Sequence, residues 1–168
     1  MTVYFDTLDT PLGDMTVATT ESGAICLLDF SDCRERSERL LRHRFGLFDK
    51  AERKNPQGIR NRLSDYFRGQ DSRTAFDGLA VDTNGTPFQM GVWKALGEIP
   101  YGQTISYSEL AARVSAPRAV RAVGSANGRN PVAIVIPCHR VIALSGSLAG
   151  YAGGIDRKRK LLALETSP

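Results

Sequence analysis

Cysteine is scarce in this chain and acidic residues are scarce in its second half, and both shortages exclude whole classes of protein before any motif is considered. The three cysteines, Cys26, Cys33 and Cys138, are odd in number and irregular in spacing, which excludes a disulfide framework. Zinc held by Cys26, Cys33 and His43 would lack a fourth ligand and fits no finger spacing, so no metal or other cofactor is expected. No apolar run approaches the ~20 residues that a membrane span needs. Met1 to Asp14 carry acids and no basic stretch, against a secretory signal, so a cytoplasmic location and no membrane partner are expected. Internal repeats and low-complexity segments are absent.

What is present is a globular composition. The 168 residues are 42% hydrophobic and 24% charged, enough for one ordinary domain or two small ones. Residues 1–85 hold 12 Lys/Arg and 14 Asp/Glu, net −2, whereas residues 86–168 hold 10 Lys/Arg and 4 Asp/Glu, net +6. A basic second half suits a polyanion, although solvated cations alone give such a surplus in many proteins.

Residues Val3–Phe30 alternate apolar and polar with turn signals at Pro11–Gly13 and Ser22–Gly23, the pattern of a three-stranded antiparallel meander. From Ser31 to Phe45 the period lengthens, with Leu40, Leu41 and Phe45 among Arg and Glu, which predicts an amphipathic helix capped by Ser31 or Asp32. A second helix is expected over Pro56–Phe67, closed by Gly69. Asp77–Gly85, rich in Gly, Asp, Asn and Thr, lies at the charge boundary and predicts the seam between domains 1–85 and 86–168. Thr86–Pro87 then opens a helix with Phe88, Val92, Trp93 and Leu96 on one side.

Ser106–Val114 places Tyr107, Leu110, Ala111 and Val114 on one face, and Pro117 can start another helix running to about Gly128. Together they read as a helix-turn-helix. The second helix has few bulky side chains, and Arg118, Arg121, Ala122 and Ser125 share a narrow basic face. Such a face can approach a phosphate backbone or a minor groove; small residues equally allow tight packing in a core, and periodicity leaves both readings open.

Val132–Ile136 is a nearly continuous apolar run, read as a buried strand, that meets Pro137-Cys138-His139-Arg140. Polar and charged residues that interrupt such a run point to a site. Ile136-Pro137-Cys138-His139-Arg140-Val141 resembles the active-site signature of the O6-alkylguanine-DNA alkyltransferases. Tyr101–Tyr107, Arg121–Gly124, Asn130-Pro131, Gly150–Gly154 and Lys158–Glu165 resemble the same family in order and spacing. The likeness is strong over Thr86–Glu165; the first half resembles the family's smaller ribonuclease-H-like domain only in pattern and length.

That resemblance implies an α/β fold: a small antiparallel sheet domain, then a mainly helical domain carrying the helix-turn-helix and the active-site cysteine. It implies repair of double-stranded DNA, with O6-alkylguanine, and O4-alkylthymine as well, flipped from the duplex and the alkyl group moved irreversibly to Cys138. Displacement at saturated carbon wants a soft nucleophile, and an unperturbed thiol near pKa 8.5 is only a few per cent ionised at pH 7, so a base is needed. His139 can supply it; neighbours on a strand point to opposite faces, so a bridging water or a local turn would have to connect it to Cys138. Glu165 shares a helix face with Lys158, Leu161 and Leu162, hence an inward position, and the family assigns the matching glutamate the task of orienting the imidazole.

By the same resemblance Tyr107 donates a proton to the leaving base, Arg121 fills the gap in the base stack, and Asn130 buttresses the turn before the cysteine. Val141, Tyr151, Ala152 and Gly153 belong to the substrate pocket. Ala152 departs from the serine many relatives carry, which removes one hydrogen bond to the base and makes the pocket roomier. Nothing in the scheme regenerates the thiol, so each molecule acts once, as a monomer.

Overall fold

Period-two alternation at the start of the chain builds β1 (Thr2–Leu8), β2 (Met15–Thr19) and β3 (Ile25–Phe30), paired antiparallel in that order. The computed structural model describes residues 1–167 and divides into two compact units, Met1–Asn84 and Gly85 onward. In the first unit a further strand, β4 (Asp49–Glu52), joins the other edge of the meander, parallel to β1, giving the order β3-β2-β1-β4. β4 reads Asp-Lys-Ala-Glu and is mostly exposed, so no hydrophobic alternation announces it. Pairing with β1 and the stacking of nearby Phe48 on Phe5, centroids 6.4 Å apart, hold it in place.

Helix α1 (Arg34–Phe45) covers the sheet with Leu41, which packs among Val3, Ala18, Cys26 and Leu27. Neither Ser31 nor Asp32 caps it, because Ser31–Cys33 forms a 3-10 turn and Cys33 occupies the cap position without a side-chain bond. The first turn is tied down instead by the buried Asp29 carboxylate, which accepts from Arg36 Nη1 at 2.6 Å and Ser37 Oγ at 3.1 Å. Buried Cys26 donates its thiol to Ala18 O, and burial pushes its pKa up to about 11. Helices α2 (Ile59–Phe67) and the short α3 (Ser72–Ala75) complete the unit. Asn55 and Gln57 have positive φ, so α2 begins at Ile59 rather than at Pro56.

The second unit opens with α4 (Pro87–Gly97), where Thr86 and Gln89 form a reciprocal capping box with Pro87 in the first turn. Val92, Trp93, Ala95 and Leu96 are buried, while Phe88, expected with them, is 39% exposed. Helix α5 (Tyr107–Arg113) is capped by Ser106 Oγ accepting from Glu109 N. Helix α6 (Val120–Gly128) begins three residues after Pro117, since Ala116–Ala119 form a turn first; Arg118 therefore precedes the helix and does not share its face. Trp93 Nε1 donates to Ala126 O at 2.9 Å, clasping α4 to α6.

The apolar run 132–136 is not a strand. Ile134 has φ +71°, Val135 N donates to Ala133 O and Ile136 N to Val132 O, so the segment coils on itself. Next come a 3-10 turn at Cys138–Arg140 and the short strand β6 (Val141–Ile142), parallel to β5 (Ile105–Ser106). Helix α7 (Ile155–Thr166) closes the unit. No helix among the described residues is long and apolar enough to cross a membrane.

Gly85 lies close to Trp93: a Cβ there would sit 2.5 Å from a ring carbon. Gly85→Ala is expected to destabilise the second unit by about 1–3 kcal/mol through forced displacement of that ring. Urea unfolding followed by the fluorescence of the single tryptophan measures this, and an unchanged midpoint would mean the ring yields freely.

Candidate active site

The β5–β6 ladder brings distant parts of the chain together. Pairing of Ile105 with Val141 and Ser106 with Ile142 sets Tyr107, the first residue of α5, beside the segment that leaves Cys138. Cys138 itself belongs to the core formed by α4, α5 and α6, only 7% exposed. Two local devices turn it there. Pro137 has φ −82° and ψ 63°, and Cys138 N donates to Ile136 O at 2.8 Å, an inverse γ-turn. Asn130, buried, donates from Nδ2 to Ile136 O at 2.7 Å and accepts from Val132 N at 3.0 Å, pinning both ends of the coiled run.

The 3-10 turn then places His139 and Arg140 inside the protein, 0% and 2% exposed. Both meet Glu165 in the last turns of α7. His139 Nε2 lies 2.8 Å from Glu165 Oε1; Arg140 donates from Nη2 to Oε1 at 2.7 Å and from Nε to Oε2 at 2.9 Å. Arg140 Nη1 donates to Ile99 O at 2.8 Å, and its guanidinium lies 5.6 Å from the Tyr101 ring centroid. Burial would raise the Glu165 pKa, but hydrogen bonds from His139 and Arg140 overcome it and hold the group down at about 2. Burial lowers the His139 pKa despite Glu165, with Arg140 and Lys158 adding to the effect.

The neutral imidazole therefore carries its proton on Nε2, facing an ionised carboxylate. Nδ1 keeps a lone pair and has no hydrogen-bond partner among the described residues. A base held in one tautomer by a carboxylate, next in sequence to a thiol, has the components of an activated nucleophile.

Lys158, on the same inward face of α7, is fully buried and donates from Nζ to Val141 O at 2.6 Å and Gly150 O at 3.1 Å. Burial lowers its pKa, opposed by Cys138. Tyr107 Oη donates to Ala149 O at 3.0 Å, one residue before the carbonyl that Lys158 holds. Burial raises the Tyr107 pKa and the Cys138 charge adds to it.

Tyr107 and Tyr151 both pack against the core cluster that holds Cys138. Val141 is buried, and its carbonyl is held by Lys158. Ala152 is exposed and Gly153 half-buried. Arg121, Ala122 and Ser125 lie on the exposed side of α6, whose other side buries Val123, Ala126 and Asn127; Arg118 is exposed in the turn before it. Two buried cations, Arg140 and Lys158, carry bonds that the sequence reading did not assign. The signal for Lys158 was a charged residue on a helix face shared with Leu161; nothing in the pattern around Arg140 marked it as buried.

Gly102 has φ +80°, and a Cβ on it would come 3.0 Å from the carbonyl oxygen of Glu165. Only glycine meets both constraints without strain, so the Tyr101–Gly102 turn fixes where the end of α7 lies.

Comparison with known proteins follows the same two-unit division. Residues 87–167 match the family model described as 6-O-methylguanine DNA methyltransferase, DNA binding domain, and residues 3–83 match its ribonuclease-like domain. The methylated-DNA--protein-cysteine methyltransferase of Salmonella typhimurium is 45% identical over 158 residues, 93% of this chain and 91% of the relative. That of Mycobacterium tuberculosis is 46% identical over 165 residues, 98% and 93%. The crystal structure of Mycobacterium tuberculosis OGT in complex with DNA superposes with a TM-score of 0.80 at 38% identity, covering 99% of this chain and 93% of that one.

The titrations of the buried cluster should register in stability. His139 has a folded pKa below its ordinary 6.5, so its contribution is complete above that value and lost as pH falls from there toward the lowered folded value. Glu165 contributes above its ordinary 4.5 and loses that contribution as pH falls toward about 2. The urea midpoint of the second unit is expected to fall in two successive stages on acidification, with the first absent in His139→Gln. A wild-type profile flat between about pH 7.5 and about pH 5 would show that His139 titrates like an exposed histidine.

Proposed function

Because the chain belongs to the 6-O-methylguanine DNA methyltransferase family, we propose that Cys138 is the residue that takes the alkyl group from damaged DNA, activated by His139 and Glu165. The chain is a DNA-repair enzyme that transfers an alkyl group from methylated DNA to its own cysteine, as its relatives are named for doing. The observation that carries the residue assignment is the buried imidazole, bound on one nitrogen by the Glu165 carboxylate and unbound on the other, directly following a buried cysteine in a tight turn.

The reaction begins with transfer of the Cys138 thiol proton toward His139 Nδ1, through a bridging water. The thiolate sulfur attacks the alkyl carbon on the lesion; a carbon–sulfur bond forms, the carbon–oxygen bond breaks, and its electron pair stays on the base. Tyr107 Oη gives the leaving base a proton and recovers one by way of the imidazolium, so that the thiol proton ends on guanine. Charge developing on the base is thereby neutralised in the transition state. A thioether has no route back to thiol here, so transfer is stoichiometric.

O6-alkylguanine inside a duplex is out of reach of a cysteine 7% exposed, which favours extrusion of the base. The exposed face of α6, with Arg121 flanked by Ala122 and Ser125, suits close approach to the duplex, and α5 with α6 acts as a helix-turn-helix. Arg121 fills the vacated stack, while Arg118 and the basic charge of residues 86–168 contact phosphates. Tyr151, Ala152, Gly153 and the backbone at Val141 wall the alkyl pocket, and O4-alkylthymine is a second substrate. The cysteines, none in a disulfide, suit a reducing compartment, and we place the protein in the cytoplasm as a monomer.

Incubation with a short duplex containing O6-methylguanine is expected to raise the intact mass by one methyl group, mapped to Cys138 and absent in Cys138→Ala. Tight binding with unchanged mass and an intact thiol would instead indicate a lesion binder that performs no chemistry. Tyr107→Phe should keep lesion binding but slow single-turnover transfer by about 100-fold or more; a rate within a factor of about two of wild type would remove Tyr107 from proton donation.

A further inference from the structure

The Glu165 carboxylate serves two side chains, one cationic and one neutral, with a single charge. Its Oε1 is shared between His139 Nε2 and Arg140 Nη2, and its Oε2 is taken by Arg140 Nε. All three side chains are 5% exposed or less, so the charge of the cluster cannot be balanced by solvent. With Arg140 and Glu165 both ionised the pair is neutral, and a neutral His139 completes an uncharged set. Were the guanidinium missing, the buried carboxylate would be left with a neutral imidazole, and the cheapest remedy would be to protonate His139. A histidine already protonated cannot accept the Cys138 proton.

We propose that Arg140 is a positioning residue that sets the proton inventory of the relay: its fork on Glu165 leaves one mobile proton to be shared by Cys138 and His139. This rests on the reading of Cys138 as nucleophile and His139 as base, and it goes beyond that reading in assigning the protonation state of the base to a residue that acts through Glu165. Transfer of the proton from Cys138 Sγ to His139 Nδ1 then creates a thiolate and an imidazolium inside a set whose total charge does not change. Without Arg140 the same set would hold an extra proton at rest, and ionising Cys138 would leave the set itself negative, with the buried Lys158 the cation left to offset it.

The other charged group acting on His139 is Lys158 on α7, which also disfavours its cation; Cys138 precedes it in the same 3-10 turn. Tyr107, on α5, faces Cys138. Helix α4 presents buried Val92, Trp93, Ala95 and Leu96, with Lys94 exposed. Arg140 is held from outside the cluster by Ile99 O and lies near the Tyr101 ring, so its fork is set by the turn that follows α4 and does not depend on the lesion.

The test is the pH dependence of single-turnover methyl transfer at saturating duplex, in wild type, Arg140→Met, Arg140→Lys and Glu165→Gln. Arg140→Met is expected to move the acidic limb of the rate profile upward by about one pH unit or more. Glu165→Gln, which leaves the guanidinium unopposed, should move it downward. Arg140→Lys keeps the charge without the fork, so its limb should stay near the wild-type position while its plateau falls. If Arg140→Met does not fold, Arg140→Gln, also without the charge, is read in its place, with the same upward displacement expected. An acidic limb of the neutral Arg140 variant at the wild-type position, with only its plateau lowered, would overturn the proposal and leave Arg140 a strut. Failure of the wild type to transfer methyl at all would overturn the reading of Cys138 instead.

Discussion

One buried carboxylate organises the second unit. Glu165, near the C-terminal end of α7, accepts hydrogen bonds from His139 and Arg140, residues 26 and 25 positions earlier, while its own carbonyl lies against Gly102. Three segments with no secondary structure in common are therefore located by a single side chain and its backbone. An ionised carboxylate in a protein interior is costly unless every lone pair is occupied, and that cost enforces the arrangement. Any shift of α7, of the 3-10 turn or of the Tyr101–Gly102 turn would leave a charge without its partner.

The same logic explains why the cysteine turn can be irregular. Residues 132–140 contain a positive φ at a β-branched residue, an inverse γ-turn and a 3-10 turn, none of which is stable by propensity. Side chains placed elsewhere supply the stability: Asn130 holds the start of the segment, Glu165 receives its end, and Lys158 caps the carbonyl of Val141 just beyond. The segment is a set of side chains held at required positions, with the backbone bent to suit them.

Much of this was legible in the residues, and what was not has physical causes. The meander, α1, α4, α5 and α7 follow from period-two or period-3.6 patterns, although β3 is buried on both faces and Phe88 of α4 is exposed. β4 escaped because an edge strand of Asp, Lys, Ala and Glu has no buried face to advertise. The run 132–136 was misread as a strand because continuous hydrophobicity records burial without specifying a backbone path, and Asn130, six residues from the carbonyl it binds, decides that path. The inward position of Glu165 could be read from helical spacing. The companion position of Arg140 could not, since a cation after a histidine is as easily solvated as buried. Its bonds depend on Ile99, 41 residues away in sequence.

The Tyr107 hydroxyl is bonded to the Ala149 carbonyl. A base that enters must therefore replace an acceptor already in place, and the free energy gained is the difference between two hydrogen bonds, smaller than the worth of one. With Tyr107 as the proposed proton donor, a pocket built this way would grip ordinary bases weakly. Dwell time at undamaged sites would then stay short, with the strongest interaction of the tyrosine reserved for the moment when negative charge builds on a departing base.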